Sequence, residues 1–330
     1  MESAMSRRNT ASPFHRGEIA MQTRAGVRES AQRVGGIVRD AISEGFADFL
    51  GEVRLAGVGA EDAQGRLWAT ILMGPEGFLH ARGPVDARDR LIIAALPVHG
   101  DALATRLTSP GWSGAPVGMT AIDLATRRRV RVNGLLARRE QADALGFALD
   151  VREAYGNCPK YITAREVLEL ASVPREAPGE TTPVLSRELD AAQLALVRRA
   201  DMLFLASIGP DQRADASHRG GRPGFVREVD ATHIVIPDYS GNRMFNSLGN
   251  LLVDPRIGLV FPDFERGALL QVSGRATVED APEARAAFPG AERVVDVTIE
   301  YVNEVPDALS TQWHLLAYSP FDPPPAVGAS

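Results

Sequence analysis

The stretch 237–252, PDYSGNRMFNSLGNLL, sets Asp238, Tyr239, Ser240, Asn242, Arg243, Asn246, Ser247 and Asn250 between two apolar runs. A phosphate dianion needs charge-assisted donors held in a fixed fork, and arginine supplies them. Short amides and hydroxyls add donors. FNSLGNLL reads as the start of a helix whose free N–H groups would face the anion. The same residue types also make an ordinary capped turn. A second cluster, ADASHRGGRPGF, ends a strand with Ser217, His218 and Arg219. There Gly220 and Gly221 would let a planar ligand approach the backbone, or would simply form a hairpin turn. In LLQVSGR, Gln271 interrupts an apolar strand, and a buried amide must be paired. In YGNCPKYI, Lys160 and Tyr161 could reach a ligand from another part of the fold, while Cys158 reads as a small core residue.

Composition bounds the chemistry. The chain has 330 residues, 45% hydrophobic and 24% charged, with a net charge of −6. That is enough for one large core or two ordinary domains. No basic stripe appears, which argues against nucleic acid as a partner. The single cysteine, Cys158, excludes an intramolecular disulfide and a cysteine-ligated cluster. Six scattered histidines predict no metal site. No apolar run is long enough to span a bilayer. MESAMSRRNTASPF lacks the apolar core of a signal peptide, so the expectation is a cytoplasmic protein. Of the 36 basic side chains, Lys160 is the one lysine.

The elements that must position these residues fall into two similar halves. Residues 1–45 read as a helical segment, with Gly35-Gly36 as its break. Short runs bounded by glycine and acidic turns follow from Arg54 and read as strands of a first domain, 46–170. A proline-rich linker is expected at 171–189, then a helix capped by Ser186, a second domain at 190–320 and a tail at 321–330. GMTAIDLATRRRVRVNGLLA lines up with GLVFPDFERGALLQVSGRAT at an offset of 140 (258 − 118), which places Gly134 on Gly274. Arg243 then falls opposite Leu103, and Tyr155 is paired with Tyr301. Such a repeat predicts a covalent pseudo-dimer with its ligand site at the seam, one copy of that site having decayed.

SHRGGRPGFV, the run from IPDYSGNR to LLQVSGRA, and YGNCPKYI together resemble the pyridoxamine 5′-phosphate oxidase-like flavin-binding split-barrel proteins, in a tandem subgroup sometimes fused to a ferredoxin reductase. The resemblance implies a mainly β protein with flanking helices (α+β): two tandem six-stranded Greek-key split barrels with FMN at their seam. FAD, a deazaflavin or haem are the alternative cofactors. It implies that Tyr239, Ser240, Asn242 and Arg243 hold the phosphate. Gln271 would contact the isoalloxazine, and Arg219 with its neighbours Ser217, His218 and Gly220 would inherit a looser role. His218 or His314 would be the axial ligand if the cofactor were haem. The family's C-terminal arginine–histidine motif is absent, as are reductase cysteines, so vitamin B6 oxidation is not expected and electrons would come from an external donor or reductase. The expected function is an FMN-dependent oxidoreductase acting on a small molecule or oxygen, as a monomer or homodimer. The alternatives are a flavin or haem carrier and a deazaflavin- or FAD-dependent reductase. No catalytic acid or base is assigned.

Overall fold

The computed structural model describes residues 12–85, 88–137, 146–170, 183–309 and 311–323. They form sixteen strands and seven α-helices. The helices are α1 (Arg16–Arg24), α2 (Arg28–Gly35), α3 (Glu44–Glu52), α4 (Ala104–Thr108), α5 (Ala191–Arg199), α6 (Asn246–Leu251) and α7 (Pro282–Arg285). The first half contributes β1 (Leu55–Glu61), β2 (Leu67–Met73), β3 (Leu79–Arg82), β4 (Arg90–Ile93), β5 (Pro116–Asp123), β6 (Arg128–Ala137), β7 (Phe147–Gly156) and β8 (Ala164–Leu170). The second contributes β9 (Met202–Ile208), β10 (Ala214–Gly220), β11 (Arg227–Asp230), β12 (His233–Asp238), β13 (Arg256–Asp263), β14 (Ala268–Glu279), β15 (Arg293–Val305) and β16 (Thr311–Ala317).

Each half is an antiparallel sheet of seven strands, not six. The orders are β2-β1-β5-β6-β7-β4-β3 and β10-β9-β13-β14-β15-β12-β11, the same path shifted by eight strands. The two sheets are tandem split barrels. The last strand of each half leaves its barrel, and β8 pairs with β16 in a ribbon that ties the halves together.

The register fixes the internal equivalences. A bulge falls before Gly134 in β6 and before Gly274 in β14, as the 140-residue offset requires. The offset does not hold everywhere. Arg131 lies opposite Tyr155, and Gln271 lies opposite Asn303, so Asn303 is the counterpart of Tyr155. The Tyr155–Tyr301 alignment is two residues out. A two-residue slip keeps every side chain on its face, so apolar pattern alone does not reveal it.

The barrels meet back to back. Gly118 lies against Asp215 of β10, and its twin Gly258 lies against Trp68 of β2; a Cβ at either would stand 2.4 or 2.6 Å from the opposing backbone. Only glycine permits that approach. Gly59 and Ala206 hold equivalent positions and touch each other, so the pseudo-twofold axis passes between them. Leu55, Leu67, Ile71, Phe204, Ile208 and Val260, drawn from both halves, form the apolar core of the seam.

Three local expectations are corrected. The N-terminal segment is three helices, breaking at Gly26 (φ 67°) as well as after Gly35. Asp190, not Ser186, caps α5, accepting from Ala192 and Gln193 in a capping box. Ser186 instead pairs with Val302, and Leu189 is buried in the second barrel, so the far end of the expected linker belongs to that barrel. The rest of the linker, 171–182, lies outside the described residues.

Candidate functional site

A cleft of about 370 Å³ opens at the seam, within the usual size range of small-molecule sites. The second barrel lines it with Ser217–Gly220 of β10, Pro237 and Asp238 at the end of β12, Tyr239–Arg243 and Phe245 of the β12–α6 connection, the start of α6, and Arg285, Glu292 and Arg293. The first barrel contributes Arg129 and Arg131 of β6, with Asn157, Cys158, Lys160 and Tyr161 from the β7–β8 connection.

The β12–α6 connection is strained and clamped. Arg243 and Phe245 both adopt left-handed backbone conformations (φ 64° and 61°), flanking Met244, which is wholly buried. Each costs about 1–2 kcal/mol relative to a right-handed residue. Three bonds hold the shape. Asn242 accepts from the Met244 N–H (3.0 Å), Gln22 donates to the Met244 carbonyl (2.9 Å), and the Asn242 amide donates to Asn157 of the first barrel (2.9 Å). Arg243 is thereby presented outward, exposed, with no ion-pair partner among the described residues. Strain held in place beside a cleft is a common mark of a functional loop.

Asn246, Ser247 and Asn250 are spent on the scaffold. Asn246 donates to Glu18, Ser247 bonds Ser217 (2.6 Å) and Asp215 (2.8 Å), and Asn250 bonds His15 (2.7 Å) and Ser207 (3.0 Å). Asn250 does not line the cleft. These bonds dock α1 across α6, where Gly17 meets Gly249 so closely that a Cβ on Gly17 would lie 2.1 Å from the Gly249 carbonyl oxygen. With α6 only six residues long, anion attraction in the cleft rests on side chains.

The cleft is strongly cationic. Asp238 is shared by Arg219 (2.7 Å) and Arg293 (2.9 Å), and Arg293 also lies over the Phe245 ring. Arg131 pairs with Asp215 (3.0 Å) and donates to Tyr155 (3.1 Å) and Ser217. Arg129, Lys160, Arg243 and Arg285 have no carboxylate partner among the described residues. Tyr161 and Tyr239 pair their rings across the seam at 5.1 Å, and burial pushes the Tyr239 hydroxyl up to about 12. Lys160 lies over Phe321.

His218 is buried and held neutral: burial, then the Arg129 charge, pulls its pKa well below the usual value. Its Nδ1 faces the Arg129 guanidinium (3.2 Å), and its Nε2 is sealed without a partner. Nδ1 is therefore engaged by the protein, while Nε2 is unpartnered and closed to solvent. His314 is exposed on β16, away from the cleft. Gly220, which lines the cleft, and Gly221 are also demanded by packing, since a Cβ there would strike the Tyr161 carbonyl oxygen (2.1 Å) and Phe225 (2.7 Å).

Gln271 is placed elsewhere. It is fully buried at the opposite seam, where it accepts from Ala102 N–H (3.0 Å) and Asn303 (2.8 Å) and donates to the Ala69 carbonyl (2.9 Å). Asp101 bonds Thr70 and Leu103 N–H beside it, and burial raises its carboxyl to about 6. This is the twin of the cleft, filled with its own polar groups. Aligned on the helices that follow, Asp101 stands where Arg243 does, so a carboxylate replaces the guanidinium. The offset of 140 had set Leu103 there; the helices are 142 apart (246 − 104).

Thirteen of the fifteen residues singled out from sequence line the open cleft; Asn250 and Gln271 do not. Reading the sequence missed Arg129, Arg131, Arg285 and Arg293. The signal for the first two was present. RRRVRV puts arginine at alternate positions of β6, where β14 carries Leu269 and Gln271.

The pyridoxamine 5′-phosphate oxidase family model matches residues 189–313. No curated protein is significantly similar to the chain. Among solved structures, HupZ of Group A Streptococcus is 12% identical over 37% of this chain and 97% of its own (TM-score 0.30). A Clostridium acetobutylicum protein of the pyridoxinephosphate oxidase family, related to general stress protein 26, is 13% identical over 37% and 90% (TM-score 0.27). HutZ, the haem storage protein of Vibrio cholerae, is 13% identical over 34% and 91% (TM-score 0.25).

Proposed function

We propose that this chain, whose second barrel belongs to the pyridoxamine 5′-phosphate oxidase-like split-barrel family, binds FMN in the open seam and serves as a flavin-dependent oxidoreductase. The carrying observation is Arg243: an unpaired guanidinium on a strained loop clamped from both barrels, in a cleft with a surplus of cations. A phosphate monoester fits that donor set, with Ser240 and Asn242 on the same connection and Arg285 from α7. Tyr161, Tyr239 and Phe245 offer aromatic surface to a planar ring, and Lys160 offers a cation.

When bound, the flavin supplies hydride or electron transfer to a small acceptor or to oxygen. The chain's part is to fix the cofactor between two rigid barrels and shield it from water. No residue is assigned proton transfer, since His218 is neutral and both nitrogens are engaged or sealed, and the tyrosine hydroxyls are held above their usual range. Reduction would come from an external donor or a partner reductase.

The test is the purified protein itself. Its absorption spectrum separates flavin from haem, and the mass of the released cofactor separates FMN from FAD and from a deazaflavin. Arg243→Ala should weaken FMN binding by one to two orders of magnitude, the effect of removing a charge-assisted bond of about 1.5–3 kcal/mol. Unchanged flavin content in that variant would refute the phosphate assignment.

A further inference from the structure

Arg129 and Arg131 project from the same face of β6, but only Arg131 has a carboxylate, Asp215. Arg129 donates from Nε to the Cys158 carbonyl (2.8 Å) and from Nη1 toward Nδ1 (3.2 Å) and the carbonyl (3.3 Å) of His218. None of these is an anion. Its Nη2 makes no hydrogen bond among the described residues, and Arg129 lines the cleft. Burial, then the like charge of Arg131, lowers its pKa to about 9, which still leaves it charged at neutral pH.

Keeping a cation in such a place is costly unless something compensates it. The fold does not demand it. The equivalent position of the second barrel, 140 residues on, is Leu269, which is buried in the seam core. Nor does Arg129 belong to the phosphate loop. It is held by Cys158 and His218, whereas Arg243 is carried by the β12–α6 connection, and the two share no hydrogen-bond partner.

We propose that Arg129 holds an anionic oxygen of the cleft's ligand that is not the cofactor's phosphate. The oxygen could belong to the pyrimidine edge of the bound ring, or to a carboxylate or phosphate on a second ligand. This inference deepens the flavin reading and rests on it for the first source only.

The experiment uses the full chain with Arg129→Leu, the residue its twin carries, and Arg129→Lys. FMN and riboflavin affinities, the midpoint potential, and binding of inorganic phosphate to the flavin-loaded protein are measured on each. If the ring is the source, Arg129→Leu weakens FMN and riboflavin alike by about tenfold. The reduced form then suffers more, lowering the potential by about 30 mV per tenfold for a two-electron couple. If a second ligand is the source, flavin binding holds, and phosphate binding to the loaded protein falls about tenfold. Arg129→Lys restores part of either loss. A loss confined to FMN, with riboflavin untouched, would overturn the proposal, as would no change beyond twofold anywhere. If the wild type binds no flavin, the proposed function fails separately. Inorganic phosphate titrated into Arg243→Ala with and without Arg129→Leu then decides: a tenfold difference upholds the anion site, and equal binding sinks it.

Discussion

Asn242 of the second barrel donates its amide to the Asn157 side chain of the first, 2.9 Å away. The same Asn242 oxygen accepts from Met244 N–H, so one side chain both shapes the Arg243 loop and fastens it to the other barrel. The loop's strained conformation therefore depends on the seam being closed.

Asn242→Ala should release that loop. Neutral hydrogen bonds of about 0.5–1.5 kcal/mol each predict a 2- to 10-fold weaker hold on FMN per bond lost. Asn157→Ala should give the smaller part of the effect. Fluorescence titration of both single variants and the double variant checks this; strictly additive losses would mean that the two amides do not act on one another.

Gln271→Ala tests where that residue acts. It strips partners from Ala102 N–H, Asn303 and the Ala69 carbonyl in a sealed site, at a cost of about 1–3 kcal/mol for each group left unsatisfied. The denaturant midpoint should fall while the flavin content of the folded protein stays at the wild-type level. Lost flavin with unchanged stability would return Gln271 to the cofactor.

Glu18 sets a pH dependence. Burial, with Glu153 and Asp215 nearby, raises its carboxyl from 4.5 to about 8. Between those values the native chain keeps a proton that the unfolded chain has released, so this group's contribution to stability falls as pH rises from 4.5 to 8. The slope is at most about 1.4 kcal/mol per pH unit. Glu18→Gln should remove it, so the variant gains on the wild type across the window and the gap levels off above pH 8. His218 works the other way: its lowered pKa makes acidification below 6.5 destabilising in both proteins. A gap between variant and wild type that is flat with pH in urea melts would exclude Glu18 as the source.

Much of this was legible in the sequence. The repeat followed from Gly134 and Gly274, and the crowding of Asn242 and Arg243 pointed to a connection that lines the cleft. Lys160 and Tyr161, read as able to reach a flavin across the seam, line the cleft from the first barrel, and Tyr161 pairs its ring with Tyr239. What failed was any step that needed pairing across strands. Gln271 was expected to contact the isoalloxazine because its strand resembles the family's ring-contact motif. A twofold arrangement instead sets the loop of one barrel against β6 of the other, so Arg131 holds the place expected for Gln271. The Tyr155–Tyr301 pairing failed because a slip of two keeps the alternation intact. Nothing local distinguishes Asn246, which serves Glu18, from a ligand-facing asparagine.

The substitution of Asp101 for Arg243 and of Leu269 for Arg129 has an evolutionary reading. In a dimer of identical subunits, any mutation strikes both pockets at once, so a carboxylate at this position would stand in each of them. Joining the copies in a single chain lifts that constraint, leaving one pocket free to become structural ballast while its sibling specialises.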